Sequence, residues 1–205
     1  MVGYTHENAQ IQQGYSVVCG VDEAGRGPLA GPVCAAAVIL PTGLEIEGLN
    51  DSKKLSEKRR EALYEVIKEK AIAYSIAFAT VEEIEEHNIL QATFMAMTRA
   101  VEGLSQKADF VLIDGNKVPP QLTLPAQSII GGDGISASIA AASVLAKVTR
   151  DRLMVEMEET YPGYDFKKHK GYGTKVHREA LLTLGPCPIH RLSFLGKILS
   201  HDDTK

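Results

Sequence analysis

The sequence has little of what marks a secreted, membrane-bound or zinc-holding chain. Its three cysteines, Cys19, Cys34 and Cys187, are odd in number and form no C-x-x-C pair, which excludes a disulfide framework and a zinc knuckle and suits a reducing cytoplasm. No apolar run approaches the roughly 18 residues of a membrane span, and Met1 to Tyr15 is polar, without the apolar stretch of a signal peptide. Internal repeats, low-complexity linkers, an H-E-x-x-H helix and a G-x-S-x-G elbow are all missing, so no histidine is assigned to metal and Ser143 is not read as a nucleophile. Nor is there an excess of positive charge: 22 lysines and arginines face 26 aspartates and glutamates, a net −4 that by itself argues against overall attraction to nucleic acid.

What is present is an ordinary globular composition. The 205 residues, 44% hydrophobic and 23% charged, exclude a disordered or collagen-like chain and suit one domain that buries its own core. Val17 to Val21 and Val33 to Leu40 read as buried strands, the second bounded by Pro32 and Pro41. Ser56 is placed to cap a helix over Glu57 to Lys70, and Ala71 to Thr80 reads as a strand. A stripe of Leu90, Phe94, Met97, Val101 and Leu104 predicts a helix over Asn88 to Leu104. Asp109 to Asp114 and Gln127 to Ile130 are short strands, Ile135 to Thr160 a long alanine-rich helix, and Lys175 to Leu184 a further helix ended by Gly185-Pro186. The order suggests an α/β layer structure with a mixed sheet.

Acids stand at the ends of three of these strands: Asp22 and Glu23 after VVCGV, Asp114 after FVLI, and Asp133 after SIIGG. Strand ends are where α/β sheets bring side chains together, and carboxylates sharing one pocket repel unless cations hold them. Oxygen ligands without histidine or cysteine favour magnesium or manganese over zinc. Each acid also has a plainer use: Asp133 as a helix N-cap, and Asp114 as a turn residue before Gly115. Asp22 and Glu23 are neighbours whose side chains point to opposite faces of a regular strand, so one site takes both only where the strand ends or bulges.

Gly25 to Ala30 fits the dinucleotide pattern G-x-G-x-x-A, but Gly31-Pro32 interrupts the chain where the required helix must start. The other use of glycines flanking Arg26 is a bare backbone that a nucleic-acid strand can approach. Charge is also uneven. From Asp51 to Arg60 five bases, among them Lys53 and Lys54, outnumber two acids, and from Phe166 to Arg178 five bases stand with no acid. Tyr164, Phe166 and Tyr172 lie in or beside this second stretch, a combination suited to gripping a backbone and stacking on a base or sugar.

The blocks VCGVDEAGRGPLAGPV (Val18 to Val33), LNDSKKLSEKRR (Leu49 to Arg60), VLIDGN (Val111 to Asn116), GGDGISASIAAASVLAKVTRD (Gly131 to Asp151) and HKGYGT (His169 to Thr174) resemble bacterial ribonuclease HII. The resemblance spans about Val17 to Phe194. Related type HIII enzymes carry an extra N-terminal domain, whereas about fifteen residues precede the first strand here, which favours type HII. The resemblance implies a ribonuclease H-like α/β fold: a mixed five-stranded sheet flanked by helices, with a flexible segment over residues 1–15 and a helical C-terminal part over about 160–205 of a single catalytic domain. It implies catalytic, metal-holding acids at Asp22, Glu23, Asp114 and Asp133, with Asp22 shared between two magnesium or manganese ions. Gly25, Arg26 and Gly27 would read the 2′-hydroxyl, Tyr172 would stack, and Lys53 and Lys54 would approach phosphates. The implied reaction is hydrolysis of the RNA strand of an RNA/DNA hybrid and cleavage 5′ of a single ribonucleotide in duplex DNA, leaving 3′-hydroxyl and 5′-phosphate ends. A cytoplasmic monomer is expected. Whether a sliding clamp or a polymerase engages the chain is not written in these motifs. A non-catalytic nucleic-acid binding module and a general metal-dependent DNA nuclease are the competing readings.

Overall fold

The two early apolar runs become neighbouring strands, β1 (Val18–Ala24) and β2 (Val33–Ile39), in the computed structural model, which describes residues 2–200. With β3 (Ala73–Ala79), β4 (Phe110–Asp114) and β5 (Ala126–Ile129) they form a sheet of order β3-β2-β1-β4-β5. The pairs β1–β2 and β2–β3 are antiparallel, while β1–β4 and β4–β5 are parallel, so the sheet is mixed and β1 is its central strand. This is the expected α/β fold.

Both faces of the sheet are covered, which is why β2 is apolar at every position. Val33, Ala35, Ala37 and Ile39 pack with Phe94 and Met97 of α3 (Val81–Glu102). Cys34, Ala36 and Val38 pack with Leu63 and Ile67 of α2 (Glu57–Lys70) and with Ala141, Val144 and Leu145 of α4 (Ala137–Thr160). The same alternation runs along β1: Cys19 and Val21 face α3, while Gly20 faces α4. A Cβ on Gly20 would lie 2.2 Å from the carbonyl carbon of Ser138, so only glycine lets α4 sit this close to the central strand.

Two sequence expectations need correction. Residues 1–15, expected as a flexible segment, contain the helix α1 (Thr5–Gln12), and its Glu7 is buried. One Glu7 oxygen accepts from the Ser136 and Ser138 hydroxyls, each at 2.7 Å, and from the Ser138 N–H at 3.0 Å. A carboxylate at the N-terminus of α4 satisfies free N–H groups and complements the helix dipole, which holds α1 in place. The helix expected from Asn88 begins instead at Val81, where Thr80 and Glu83 form a reciprocal capping box. Asn88 interrupts it with φ 68°, and its Oδ1 accepts from the N–H groups of Leu90 and Gln91 to restart it. The sequence stripe therefore located the second half of a kinked helix.

Beyond α4 the chain folds into α5 (Phe166–His169), α6 (Lys175–Leu184) and α7 (Leu192–Leu199), packed on Ala30, Met154 and Leu195. Residues 201–205 of the expected helical part lie outside the described residues. Among the described residues no helix is long and apolar enough to cross a membrane.

Candidate active site

Parallel pairing of β1 with β4 sets Val21 beside Ile113, so Asp22 and Asp114 follow side by side on the α4 face of the sheet. Asp133 comes from the short 3-10 turn Gly132–Gly134 between β5 and α4. Ligand oxygens of Asp22, Asp114 and Asp133 lie within 4.8 Å of one another. Asp133 is not the cap of α4: Ser136 is, its hydroxyl accepting from the Ile139 N–H at 3.3 Å. The Asp133 N–H instead points to Asp114 Oδ1 at 3.4 Å.

Glu23 behaves differently, and here the expectation of an ending or bulged strand fails. β1 runs on through Ala24 in regular register, with Asp22 opposite Ala36 and Glu23 opposite Ala35. Glu23 therefore points to the α3 face, where it lines a cleft with Leu90, Phe94, Asp114 and Lys117. It stays outside the set of three acids within 4.8 Å but remains in electrostatic reach of Asp114. Asp114, at the end of its strand, is the acid that both faces share.

The electrostatics are those of an under-neutralised cluster. Burial pushes the Asp22 carboxyl well above the usual carboxylate range, and Glu23 and Asp114 push it further; hydrogen bonds from the Glu23 N–H and Ser143 oppose this. Burial also raises Glu23, with Arg26 opposing and Asp114 adding. For Asp133 burial, Asp114 and Asp51 all raise it, against Lys53. The nearest cation is Lys53, whose Nζ is 3.6 Å from Asp133 Oδ2. Burial works to lower the Lys53 pKa, and the combined fields of Asp22, Asp133, Asp51 and Asp114 outweigh it and raise it. Lys54 pairs instead with Asp51, at 3.7 Å.

Gly25 takes φ 98°, and a Cβ there would collide with the Arg150 side chain. Arg26 is half exposed and reaches Glu23 at 3.4 Å. Tyr172 is 42% exposed beside Gly27, with Lys147 Nζ 5.6 Å from its ring centroid. Of the three aromatics expected to stack, only Tyr172 is free to do so: Tyr164 and Phe166 stack on each other in the core of the C-terminal part. Their apolar neighbours Leu181 and Leu195 claimed them, which a basic, glycine-rich stretch concealed.

Other residues of the site carry no motif signal. Asp51, within a basic loop in the sequence, adds its negative charge beside Asp133 and accepts from the Lys53 N–H at 2.9 Å. Ser143 supports Asp22 and meets Ser52 at 2.7 Å. Behind Tyr172, His177 Nδ1 is 2.9 Å from the Tyr172 carbonyl, so that nitrogen carries the proton and its Nε2 accepts from His190 Nε2 at 3.0 Å. His190 Nδ1 in turn accepts from the Cys187 N–H at 2.9 Å. Both rings are thus neutral and hold the Tyr172 segment from behind.

A cluster of three strand-end carboxylates with a lysine at its rim, beside a glycine-arginine-glycine turn and an exposed tyrosine, invites comparison with known nucleases. The family model described as ribonuclease HII matches residues 19–197. Ribonuclease HII of Endomicrobium trichonymphae is 58% identical over 182 residues, 89% of this chain and 87% of that protein. Ribonuclease HII of Caldicellulosiruptor bescii is 55% identical over 194 residues, 95% of this chain and 94% of that one. The crystal structure of ribonuclease H2 from Pyrococcus horikoshii superposes with TM-score 0.71 at 26% identity, covering 93% of this chain and 100% of that one. With the match running through both the acid-bearing strands and the C-terminal helices, the chain belongs to the ribonuclease HII family and is a ribonuclease H enzyme.

Proposed function

We propose that this ribonuclease H hydrolyses the RNA strand of RNA/DNA hybrids and cuts 5′ of single ribonucleotides embedded in duplex DNA, leaving 3′-hydroxyl and 5′-phosphate ends. The work would be that of two-metal catalysis with magnesium or manganese, and its place the removal of ribonucleotides during DNA replication and repair. The observation that carries the reading is the set of Asp22, Asp114 and Asp133 oxygens within 4.8 Å, with Lys53 Nζ 3.6 Å from Asp133. These are hard oxygen donors, and the Asp22 and Asp133 carboxyls, raised by burial and neighbouring acids, fit divalent cations that would restore their ionised state.

Asp22, Glu23, Asp114 and Asp133 are the residues that would hold the cations, with Asp22, on the central strand, taken as the acid shared between them. Bound divalent ions supply Lewis acidity and offset charge on the phosphate. The chain supplies the rest. Lys53 and, further out, Lys54 meet the phosphate backbone. Gly25, Arg26 and Gly27 form the turn that reads the ribose 2′-hydroxyl, its backbone reachable at the exposed Arg26 and Gly27. Tyr172 stacks next to Gly27, and Asp51 and Ser143 hold Asp133, Lys53 and Asp22 in position.

The test offers the protein two duplexes of one sequence, all-DNA and carrying a single ribonucleotide, with and without magnesium. The reading expects magnesium-dependent cleavage of the second alone, on the 5′ side of the ribonucleotide. Binding without cleavage would make the chain a nucleic-acid binding module, and cutting of the all-DNA duplex a general DNA nuclease.

A further inference from the structure

Arg191 and Arg150 are the largest fully buried side chains among the described residues, and both serve backbone carbonyls. Arg191 donates five hydrogen bonds: Nε and Nη2 to Gly31 O at 2.9 and 2.7 Å, Nη1 to Arg26 O at 3.0 Å and Pro28 O at 2.9 Å, and Nη2 to Gly25 O at 2.6 Å. Arg150 takes the other side, donating to Pro32 O at 3.0 Å, Ala30 O at 2.9 Å and Lys170 O at 3.0 Å. The turn between β1 and β2 is thus wound around two guanidinium groups. Its outer strand is laced to the C-terminal part as well: Leu29 N–H donates to Gly171 O, Gly31 N–H to Ile189 O and Arg191 N–H to Leu29 O, each at 2.8 Å.

Packing alone gives little reason for a buried cation, because an apolar side chain of similar volume is often as stable or more so. The five-donor fork does something an apolar residue cannot, which is to dictate where carbonyls point. In a planar trans peptide the C=O and the following N–H point in opposite directions, and no cis peptide bond occurs among the described residues. With the carbonyls of Gly25 and Arg26 drawn inward to Arg191, the N–H groups of Arg26 and Gly27 must face outward. Both residues are exposed, on the side where Tyr172 lies against Gly27.

We propose that Arg191, braced by Arg150, is the positioning residue of the ribose-reading turn: it aims the Arg26 and Gly27 N–H groups at the 2′-oxygen side of the substrate without touching substrate itself. This rests on the proposed reading of Gly25 to Gly27 as the 2′-hydroxyl site. It makes recognition of ribose depend on a residue about 165 positions away in the chain, at the start of α7.

The experiment compares wild type with Arg191→Lys, which keeps a positive charge but loses the fork, and Arg191→Met, which keeps only the bulk. Each is measured for cooperative thermal unfolding, for kcat/KM on a duplex with one ribonucleotide, and for inhibition of that reaction by the all-DNA duplex of the same sequence. In folded variants kcat/KM is expected to fall at least tenfold, with the inhibition constant of all-DNA duplex within twofold of wild type. A merely structural role would not separate those two numbers. The proposal is overturned by a folded variant with kcat/KM within twofold of wild type, by parallel loss of all-DNA affinity, or by failure of both variants to fold, which assigns Arg191 to the fold alone. Wild type that cleaves all-DNA duplex equally well removes the ribose-reading site itself, whereas a discriminating wild type matched by its variants removes only the role of Arg191.

Discussion

Two groups of buried ionisable side chains face different fates in this molecule. At the ends of β1 and β4, ligand oxygens of Asp22, Asp114 and Asp133 crowd within 4.8 Å; burial and neighbouring acids raise the Asp22 and Asp133 carboxyls, and Lys53 Nζ stands 3.6 Å from Asp133. On α4 and in the C-terminal part, Arg150, Arg191, His177 and His190 are buried too, yet backbone carbonyls, an amide N–H and a neighbouring ring nitrogen satisfy them. The first group keeps an unmet demand for cations and the second has met its own demand within the chain. Unmet demand marks the place for added charge and chemistry, and met demand marks scaffold.

The strongest way to break that comparison is Asp22→Asn. Cleavage of a one-ribonucleotide duplex should fall about 10³-fold, the equivalent of several kcal/mol of lost charge stabilisation, while duplex binding persists. Wild type should also gain about 2.7 kcal/mol of stability at a hundredfold excess of magnesium or manganese over its Kd, and the variant should gain less. Full activity with magnesium, or an equal gain in thermal unfolding, would show that the acids are scaffold too.

Tyr172 lies where the two groups meet, since its ring faces the substrate side and its carbonyl is held by His177. Tyr172→Ala should lower kcat/KM on the one-ribonucleotide duplex by about 10- to 100-fold, the usual worth of a stacked ring, and Tyr172→Phe should keep most of it. An alanine variant that cuts like wild type would sink stacking as its role.

The neutral histidine pair offers a gentler probe. Burial chiefly, with His169 and His190 adding and the Tyr172 carbonyl opposing, holds His177 at about 4 against its ordinary 6.5. Between those values the unfolded chain binds more protons, so the stability of the neutral ring is whole above about pH 6.5 and is lost as pH falls toward 4. Wild type should lose about 1–2 kcal/mol more than His177→Gln between pH 7 and pH 5 in chemical denaturation. Equal slopes for the two proteins would mean that the ring is not held neutral.

Glu7 marks the small end of the scale. Glu7→Gln removes the charge that α1 presents to the N-terminus of α4, and should cost about 1 kcal/mol in urea unfolding. An unchanged midpoint would leave α1 without the anchor described here.

Much of the frame was legible because it obeys nearest-neighbour rules. Ser56 caps α2 where the spacing predicts, with its hydroxyl accepting from the Arg59 N–H, and α6 covers Lys175–Leu184 as expected. Period two along β1 made a shared site for Asp22 and Glu23 conditional on the strand ending or bulging; the strand stays regular, and Asp114 acts electrostatically on both acids instead. Tyr164 and Phe166 misled because composition says nothing of which aromatics a neighbouring helix will bury. Asp51, Ser143 and Arg191 carried no signal, since each acts through a partner distant in sequence.

The sequence by itself determined the strands, most of the helices, the acids that follow apolar runs and the uneven charge behind a net −4, because apolar periodicity, caps and turns act over a few residues. Only the tertiary structure decided that Asp22 and Asp114 stand side by side, that Lys53 rather than Lys54 meets them, and that Arg191 turns the Gly25–Gly27 backbone outward. Those outcomes depend on strand register and on contacts between residues far apart in the chain, which no local pattern encodes.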